Sequence, residues 1–286
     1  MPSDLMPAAF IGHGSPMNAL ESNRYTQAWR EFGASVPRPR AILMVSAHWF
    51  IGATAVTAMP RPKTIHDFFG FPQALFDVQY PAPGLPELAA VVADAVSPDF
   101  VGEDVDSWGI DHGAWSVLVH AFPAADIPVV QLSVNALKPV AWHLDLGRKL
   151  GALRRQGVLV IASGNVVHNL RAADRSRPDF AFDWAERFDE RARQLMAERP
   201  GDAASLTELA DYHASAPTPE HFLPLLYIAG MAAEANLDAQ AFVPGYAFGS
   251  ISMTSYTVGA CPPGHVDALS GSAPLSRSAL PEDSNV

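Results

Sequence analysis

Four short apolar segments, each followed by glycine, serine, asparagine or histidine, most constrain how this chain folds. They are residues 7–11, 41–45, 127–132 and 158–161. Each segment is too short for a typical helix and is almost wholly apolar, which predicts a strand buried on both faces. A fifth segment, residues 249–258, is rich in serine and threonine and alternates in polarity, which indicates an edge or antiparallel strand.

Segments with helical periodicity lie between these strands. We predict helices over residues 25–32, 86–96, 112–121, 140–155, 183–198 and 219–235. Strands that alternate with helices predict an α/β fold, with a central, mostly parallel or mixed sheet flanked by helices. Residues 1–261 are expected to form a single catalytic domain. Residues 262–286, rich in proline, glycine and serine, are expected to form a C-terminal tail.

Composition narrows the function classes. The 286 residues carry a formal net charge of −11, which argues against nucleic acid or an anionic membrane as the partner. Cys261 is the one cysteine, so an intramolecular disulfide framework is excluded and a cysteine-ligated metal site is disfavoured. The start of the chain does not resemble a signal peptide, and no apolar run reaches about 18 residues. We therefore expect a cytoplasmic protein, and a homo-oligomer is left open.

Histidines recur at the ends of the predicted strands. His13, His48 and His168 each lie at or shortly after such an end. Ligands of open α/β sheets bind outside the carboxyl ends of the strands, so these side chains are expected to lie together. A single histidine of this kind is more often a hydrogen-bonded core residue, but three equivalent placements favour a shared metal or acid–base site. His112 follows an aspartate in a glycine-rich segment and is a fourth candidate.

Two further segments can contribute to this site. The aromatic segment 64–72 either lines an aromatic substrate site or covers the core, so His66, Phe71 and the strand-end Trp49 are candidate substrate contacts. His221 opens a late predicted helix and is a candidate ligand, whereas Glu220 beside it is equally a helix N-terminal charge. The sequence contains no G-x-S-x-G and no H-E-x-x-H motif, which disfavours a hydrolase serine and a zincin site.

Together these motifs resemble one family, the class III (LigB-like) extradiol ring-cleaving dioxygenases, in particular their DOPA extradiol dioxygenase branch. The resemblance spans roughly residues 7–258 and depends on the order and spacing of six motifs. The motifs are Gly12-His-Gly-Ser-Pro16, Ser46-Ala-His-Trp49, Thr64-Ile-His-Asp-Phe68 with Gly70-Phe-Pro72, Tyr80-Pro-Ala-Pro-Gly84, Trp108-Gly-Ile-Asp-His-Gly-Ala-Trp115 and Ser163-Gly-Asn-Val-Val-His-Asn-Leu170.

The resemblance implies a non-haem Fe(II) enzyme that uses O₂ to open a substituted catechol such as DOPA, giving a semialdehyde. His13 and His48 match the two metal-binding histidines of the family. His168 matches the acid–base histidine, which in the DOPA branch also counts as a fourth ligand, and His112 matches a second catalytic histidine. His221 fits the third ligand of the DOPA branch, with Glu220 as its rival, because other members use a glutamate.

Two other functions stay open at this point. The same histidines could bind Zn(II), which would activate water in a hydrolase, and Zn(II) could also occupy a dioxygenase as isolated. A non-catalytic metal- or ligand-binding protein is the third hypothesis. Arg61, Lys63 and Arg171 are candidate partners for a substrate carboxylate, and each could equally be a surface charge.

Overall fold

The computed structural model describes residues 5–260, which are built around an eight-stranded mixed sheet with helices on both faces. The strands β1–β10 are Ala8–Gly12, Ala41–Ile51, Ala55–Thr57, Gly102–Asp104, Val129–Asn135, Val158–Gly164, Gln240–Val243, Tyr246–Ala247, Ile251–Ser252 and Ser255–Val258. The α-helices α1–α8 are Arg24–Ser35, Gln73–Phe76, Pro86–Val96, His112–Ala121, Val140–Leu150, Asp183–Glu198, Tyr212–Ser215 and Leu223–Ala235. This architecture confirms the predicted α/β class.

The order of strands across the large sheet is β4-β3-β5-β2-β6-β1-β10-β7. Its four central strands, β5, β2, β6 and β1, are mutually parallel, whereas β3 is antiparallel to β5 and β10 is antiparallel to β1. β8 and β9 form a separate antiparallel pair. Because the central strands are parallel, their carboxyl ends open at one edge, where the predicted histidines lie.

The central strands are buried on both faces, as their apolar sequences predict. In β1, Ala8 and Phe10 pack into one core with helices α3, α5, α6 and α8. The alternate residues Ala9 and Ile11 pack into a second core with α1 and α4. The two-residue period of a strand therefore supplies both cores from one apolar run.

The limits of α3, α4 and α6 agree with the sequence predictions, and the first two begin at clear signals. Pro86 occupies the first turn of α3, and Asp111 caps α4 by accepting the N–H of Ala114 at 3.1 Å. The predicted helix 140–155 ends at Leu150 and continues as a 3₁₀ turn to Gln156.

The last predicted strand differs most from the structure. Residues 249–258 form two short strands, β9 and β10, and β10 lies inside the sheet between β1 and β7. The antiparallel direction is right and the edge position is wrong. Buried hydroxyls explain the polar composition, since Ser255 Oγ accepts the N–H of Gly12 at 3.0 Å.

No helix among residues 5–260 is long and apolar enough to cross a membrane. The predicted tail and Cys261 lie outside the described residues.

Candidate metal centre

Five histidines come together at the carboxyl edge of the sheet. His13 directly follows β1, and its N–H donates to the carbonyl of Gly164 at 3.2 Å. His48 lies in β2, His112 is the first residue of α4, His168 follows β6, and His221 precedes α8. All five side chains are buried or nearly so.

A bulge in β2 places His48 in this cluster. Val45 pairs with Leu132 and Phe50 pairs with Val134, so four residues of β2 oppose one residue of β5. The strand therefore continues past the expected end at residue 45, and residues 46–49 form a bulge with three more residues than β5 places opposite them, while Ser46 still pairs with Ser163 of β6. Helix α4 packs closely here, because a Cβ on Gly113 would lie 2.7 Å from Cδ2 of His48.

Three of the rings form a nearly equilateral triangle. The ring centres of His13 and His48 are 5.1 Å apart, those of His13 and His221 are 5.4 Å apart, and those of His48 and His221 are 5.0 Å apart. The Nε2 atoms of His13 and His48 face each other at 3.1 Å. Two imidazole nitrogens that share one metal ion at about 2.1 Å and roughly a right angle lie about 3 Å apart. The observed separation therefore fits two ligands of one ion.

The outer nitrogen of each of these rings has a polar neighbour. Ser163 Oγ donates to the carbonyl of Gly113 at 2.5 Å, so it accepts from Nδ1 of His13 at 2.9 Å. Nδ1 of His221 lies 3.2 Å from Oε1 of Glu220. These contacts place the proton on Nδ1 and leave the Nε2 lone pair directed inward, as in carboxylate- and hydroxyl-supported metal sites.

The other two histidines lie beside the triangle. His112 packs against His48 with ring centres 3.8 Å apart, and its Nδ1 lies 2.9 Å from Oδ1 of Asp67. His168 stacks on His221 with ring centres 3.5 Å apart and an interplanar angle of 10°. Both rings therefore lie within reach of a molecule bound at the triangle.

Burial keeps the three rings of the triangle neutral. Burial lowers the pKa of His13, His48 and His221 well below the ordinary value, and the neighbouring histidines add to this effect. For His48, the carboxylate of Asp67 opposes the shift without reversing it. Neutral imidazole is the form that binds metal ions, so the site is prepared for a cation.

The buried carboxylate of Asp111 links two of the elements that carry the histidines. Asp111 accepts the hydroxyl of Ser46 at 2.7 Å, and the amide of Gln131 also donates to it. Burial, together with the charge of Asp67, raises the pKa of Asp111 to about 6. Since Ser46 belongs to the β2 bulge and Asp111 caps α4, one carboxylate joins the two elements that carry His48 and His112.

Aromatic side chains form one wall of the cluster. Phe68 lies edge-on to His112 with ring centres 5.5 Å apart, and Phe71 packs behind Phe68. His66 directs Nε2 to the carbonyl of Val78 at 2.9 Å. Thus Phe68, rather than the predicted Phe71 or His66, lies directly against the histidines. Trp49 stacks on Trp108 with ring centres 5.7 Å apart.

Sequence reasoning named all five clustered histidines but gave no role to Asp67 or Ser163. The signal for Asp67 is its place directly after His66, within the motif Thr64-Ile-His-Asp-Phe68. The sequence did not show which of these two neighbours turns inward, because the fold of the aromatic segment decides it. Ser163 ends an apolar strand, where a lone serine gives no functional signal.

The residues present fit a bound metal ion. Nε2 of His112 and Nε2 of His221 are buried and have no hydrogen-bond partner among the described residues. Potential ligand atoms of His13, His48 and His112 lie within 4.8 Å of one another, as do those of His168, Glu220 and His221. A buried polar atom without a partner is costly, and a cation at the centre would satisfy such atoms. The fold and the histidine cluster thus define a metal-dependent enzyme.

Comparisons with known proteins agree with this class. The family described as the catalytic LigB subunit of aromatic ring-opening dioxygenase matches residues 7–259. The chain therefore belongs to the LigB family, and it is an extradiol ring-cleaving dioxygenase. No observation supports the hydrolase alternative.

Two relatives and one solved structure show how far the similarity extends. An Escherichia coli K12 protein named 4,5-DOPA dioxygenase extradiol is 49% identical over 91% of this chain and 97% of its own length. A Beta vulgaris protein of the same name is 36% identical over 86% of this chain and 94% of its own length. The crystal structure of an uncharacterized Escherichia coli K12 protein has a TM-score of 0.78 and 43% identity, covering 89% of this chain and 100% of that one.

Proposed function

We propose that this chain is an Fe(II)-dependent dioxygenase that opens the ring of DOPA or a closely related substituted catechol. Both atoms of O₂ enter the product, a ring-opened semialdehyde. The observation that carries the proposal is the triangle of three neutral imidazoles, with two further histidines beside it.

His13, His48 and His221 are the proposed ligands. Their ring centres are about equally spaced, whereas His112 lies closer to His48 than two ligands of one ion normally do. Glu220 contacts the Nδ1 side of His221, and it also accepts the hydroxyl of Thr218 at 2.7 Å. This contact favours Glu220 as the residue that orients His221, rather than as the third ligand.

The proposed ring opening with O₂ favours iron over zinc as the functional metal. A metal held by three protein side chains keeps open positions where catechol and O₂ can bind together, and a redox-active ion can pass electrons between them. Zn²⁺ has no redox chemistry and could only activate water. Zinc in the isolated protein would therefore indicate replacement of the functional ion.

His168 and His112 are the proposed acid–base residues. A catechol must lose a hydroxyl proton to bind through both oxygens, and we assign its acceptance to His168, beside the ligand His221. His112 packs against His48 with ring centres 3.8 Å apart, where it would supply a proton as the O–O bond breaks, both oxygen atoms being kept in the product. The carboxylate of Asp67 lies 2.9 Å from its Nδ1 and fixes the orientation of the ring.

The substrate assignment comes from the relatives. Both relatives described above are named for 4,5-DOPA, and the chain aligns with almost their full length. The substrate-side aromatic wall, with Phe68 against His112, suits a flat ring. Arg61, Lys63 and Arg171 are exposed, and they stay candidates for the amino-acid carboxylate.

The test is anaerobic loading of the metal-free protein with Fe(II), followed by O₂ uptake with L-DOPA, protocatechuate and unsubstituted catechol. We expect one O₂ consumed per molecule of ring-opened, visibly absorbing product, with L-DOPA as the best substrate. The same protein loaded with Zn(II) is the control and should consume no O₂. Iron-loaded protein that consumes no O₂ with any catechol would contradict the proposal, and preference for protocatechuate would contradict the substrate assignment.

A further inference from the structure

One carboxylate in the aromatic segment contacts two of the clustered histidines. Oδ1 of Asp67 accepts the backbone N–H of His112 at 3.0 Å. The same oxygen lies 2.9 Å from the ring nitrogen Nδ1 of His112. Oδ2 of Asp67 faces Nδ1 of His48 at 3.5 Å. The side chain of Asp67 is 16% exposed, so water competes little for these contacts.

The contacts have a definite consequence for both rings. Neither side-chain contact is a hydrogen bond, since Nδ1 of His112 has no hydrogen-bond partner among the described residues and the contact with His48 is 3.5 Å long. The carboxylate therefore acts on both rings through its negative charge, which favours the proton on the Nδ1 that faces it. Nε2 of His48 then presents its lone pair to Nε2 of His13, 3.1 Å away.

The position of Asp67 in the chain adds a second consequence. The next residue, Phe68, is buried and packs against His112, Phe71, Phe76 and Trp115. Two adjacent side chains of one loop thus serve different parts of the site. One contacts the histidines through charge, and the other forms the apolar wall.

We propose that Asp67 is a positioning residue that orients a metal ligand, His48, and an acid–base residue, His112, with one carboxylate. This inference rests on the proposed roles of those two histidines. It means that the loop that forms the substrate wall also sets the affinity of the site for its metal. Outer partners of metal-binding histidines typically change metal affinity or activity by about 10–100-fold when they are replaced.

The test compares Asp67→Asn with the wild-type protein, using Co(II) as a spectroscopic probe. Metal-free protein is titrated with Co(II) in competition with a chelator, and the visible ligand-field bands are recorded. We expect Asp67→Asn to bind Co(II) about 10–100-fold more weakly and with shifted bands. Asp77→Asn is the matched control, since Asp77 is exposed and its carboxylate contacts Gln73. It should bind Co(II) like the wild type.

A further variant separates orientation of the histidines from simple anchoring of the loop. Phe68→Leu loosens the apolar packing and leaves the carboxylate in place, so it should raise KM for the catechol and keep Co(II) affinity. Unchanged affinity and bands in Asp67→Asn would overturn the role of Asp67, and so would equal losses of affinity in both variants. Wild-type protein that fails to bind Co(II) would instead overturn the metal site itself.

Discussion

Ser163 provides the sharpest test of how the protein prepares His13 for a metal ion. Its hydroxyl accepts from Nδ1 of His13 at 2.9 Å and donates to the carbonyl of Gly113 at 2.5 Å. Ser163→Ala removes both contacts in a fully buried environment. The Nδ1–H then has no acceptor, and the tautomer with the proton on Nε2, which cannot bind a metal ion through Nε2, is no longer disfavoured.

Ser133 in β5 offers a matched comparison. It is also a fully buried serine of a central strand, it accepts the N–H of Ala55 at 2.8 Å, and it donates to the carbonyl of Ala53 at 3.0 Å. No histidine depends on it. Leaving a buried donor or acceptor without a partner costs about 1–3 kcal/mol, and each alanine substitution removes the partner of two such groups, so each variant should lower the free energy of unfolding by roughly 2–6 kcal/mol.

The two variants should differ in metal binding. Loss of an outer partner weakens a histidine site by about 10–100-fold, which corresponds to roughly 1.4–2.7 kcal/mol. We expect this loss in Ser163→Ala and an affinity close to wild type in Ser133→Ala. Urea denaturation of the metal-free proteins measures stability, and Co(II) titration against a chelator measures affinity. Equal Co(II) affinities in the two variants would show that Ser163 does not support His13 in metal binding, whatever their free energies of unfolding.

Three further predictions concern individual histidines. His13→Ala should abolish metal binding, and full occupancy by elemental analysis would reject its assignment as a ligand. His168→Ala should retain metal but lose about 10²–10⁴-fold in turnover, as is typical of a lost acid–base group; turnover near wild type would exclude that role. Burial lowers the pKa of His143 to about 4, from an ordinary value of 6.5. Between pH 6.5 and 4 the unfolded chain therefore binds a proton that the folded chain excludes, so acid should lower the free energy of unfolding. His143→Gln should remove up to roughly 3 kcal/mol of that loss, and an unchanged pH dependence in urea titrations would contradict it.

The sequence predicted the general fold well because its signals are local. The apolar strands read as buried on both faces, and α3, α4 and α6 begin and end where their periodicity begins and ends. The bulge at residues 46–49 was not predictable, because it depends on the register between β2 and β5. Nothing within residues 41–51 shows how many of them will pair.

The same distinction applies to the site. The positions of His13 and His168 after strands follow from local sequence, and His112 follows from the cap of α4. The contacts of Asp67 and Ser163 with the outer ring nitrogens join segments far apart in the chain, whereas Glu220 is the immediate neighbour of His221. Hydrogen bonds of this kind have no sequence periodicity, so the supporting residues become visible only in the folded structure.

The proposed function requires that both atoms of O₂ enter the opened catechol ring. The most direct measurement is a rapidly quenched reaction of the Fe(II)-loaded protein and L-DOPA under isotopically labelled O₂, with mass spectrometry of the ring-opened product. We expect both labelled oxygen atoms in the product. A product that carries no label, because its new oxygen atom came from unlabelled water, would contradict this proposal and would identify water as the reacting molecule.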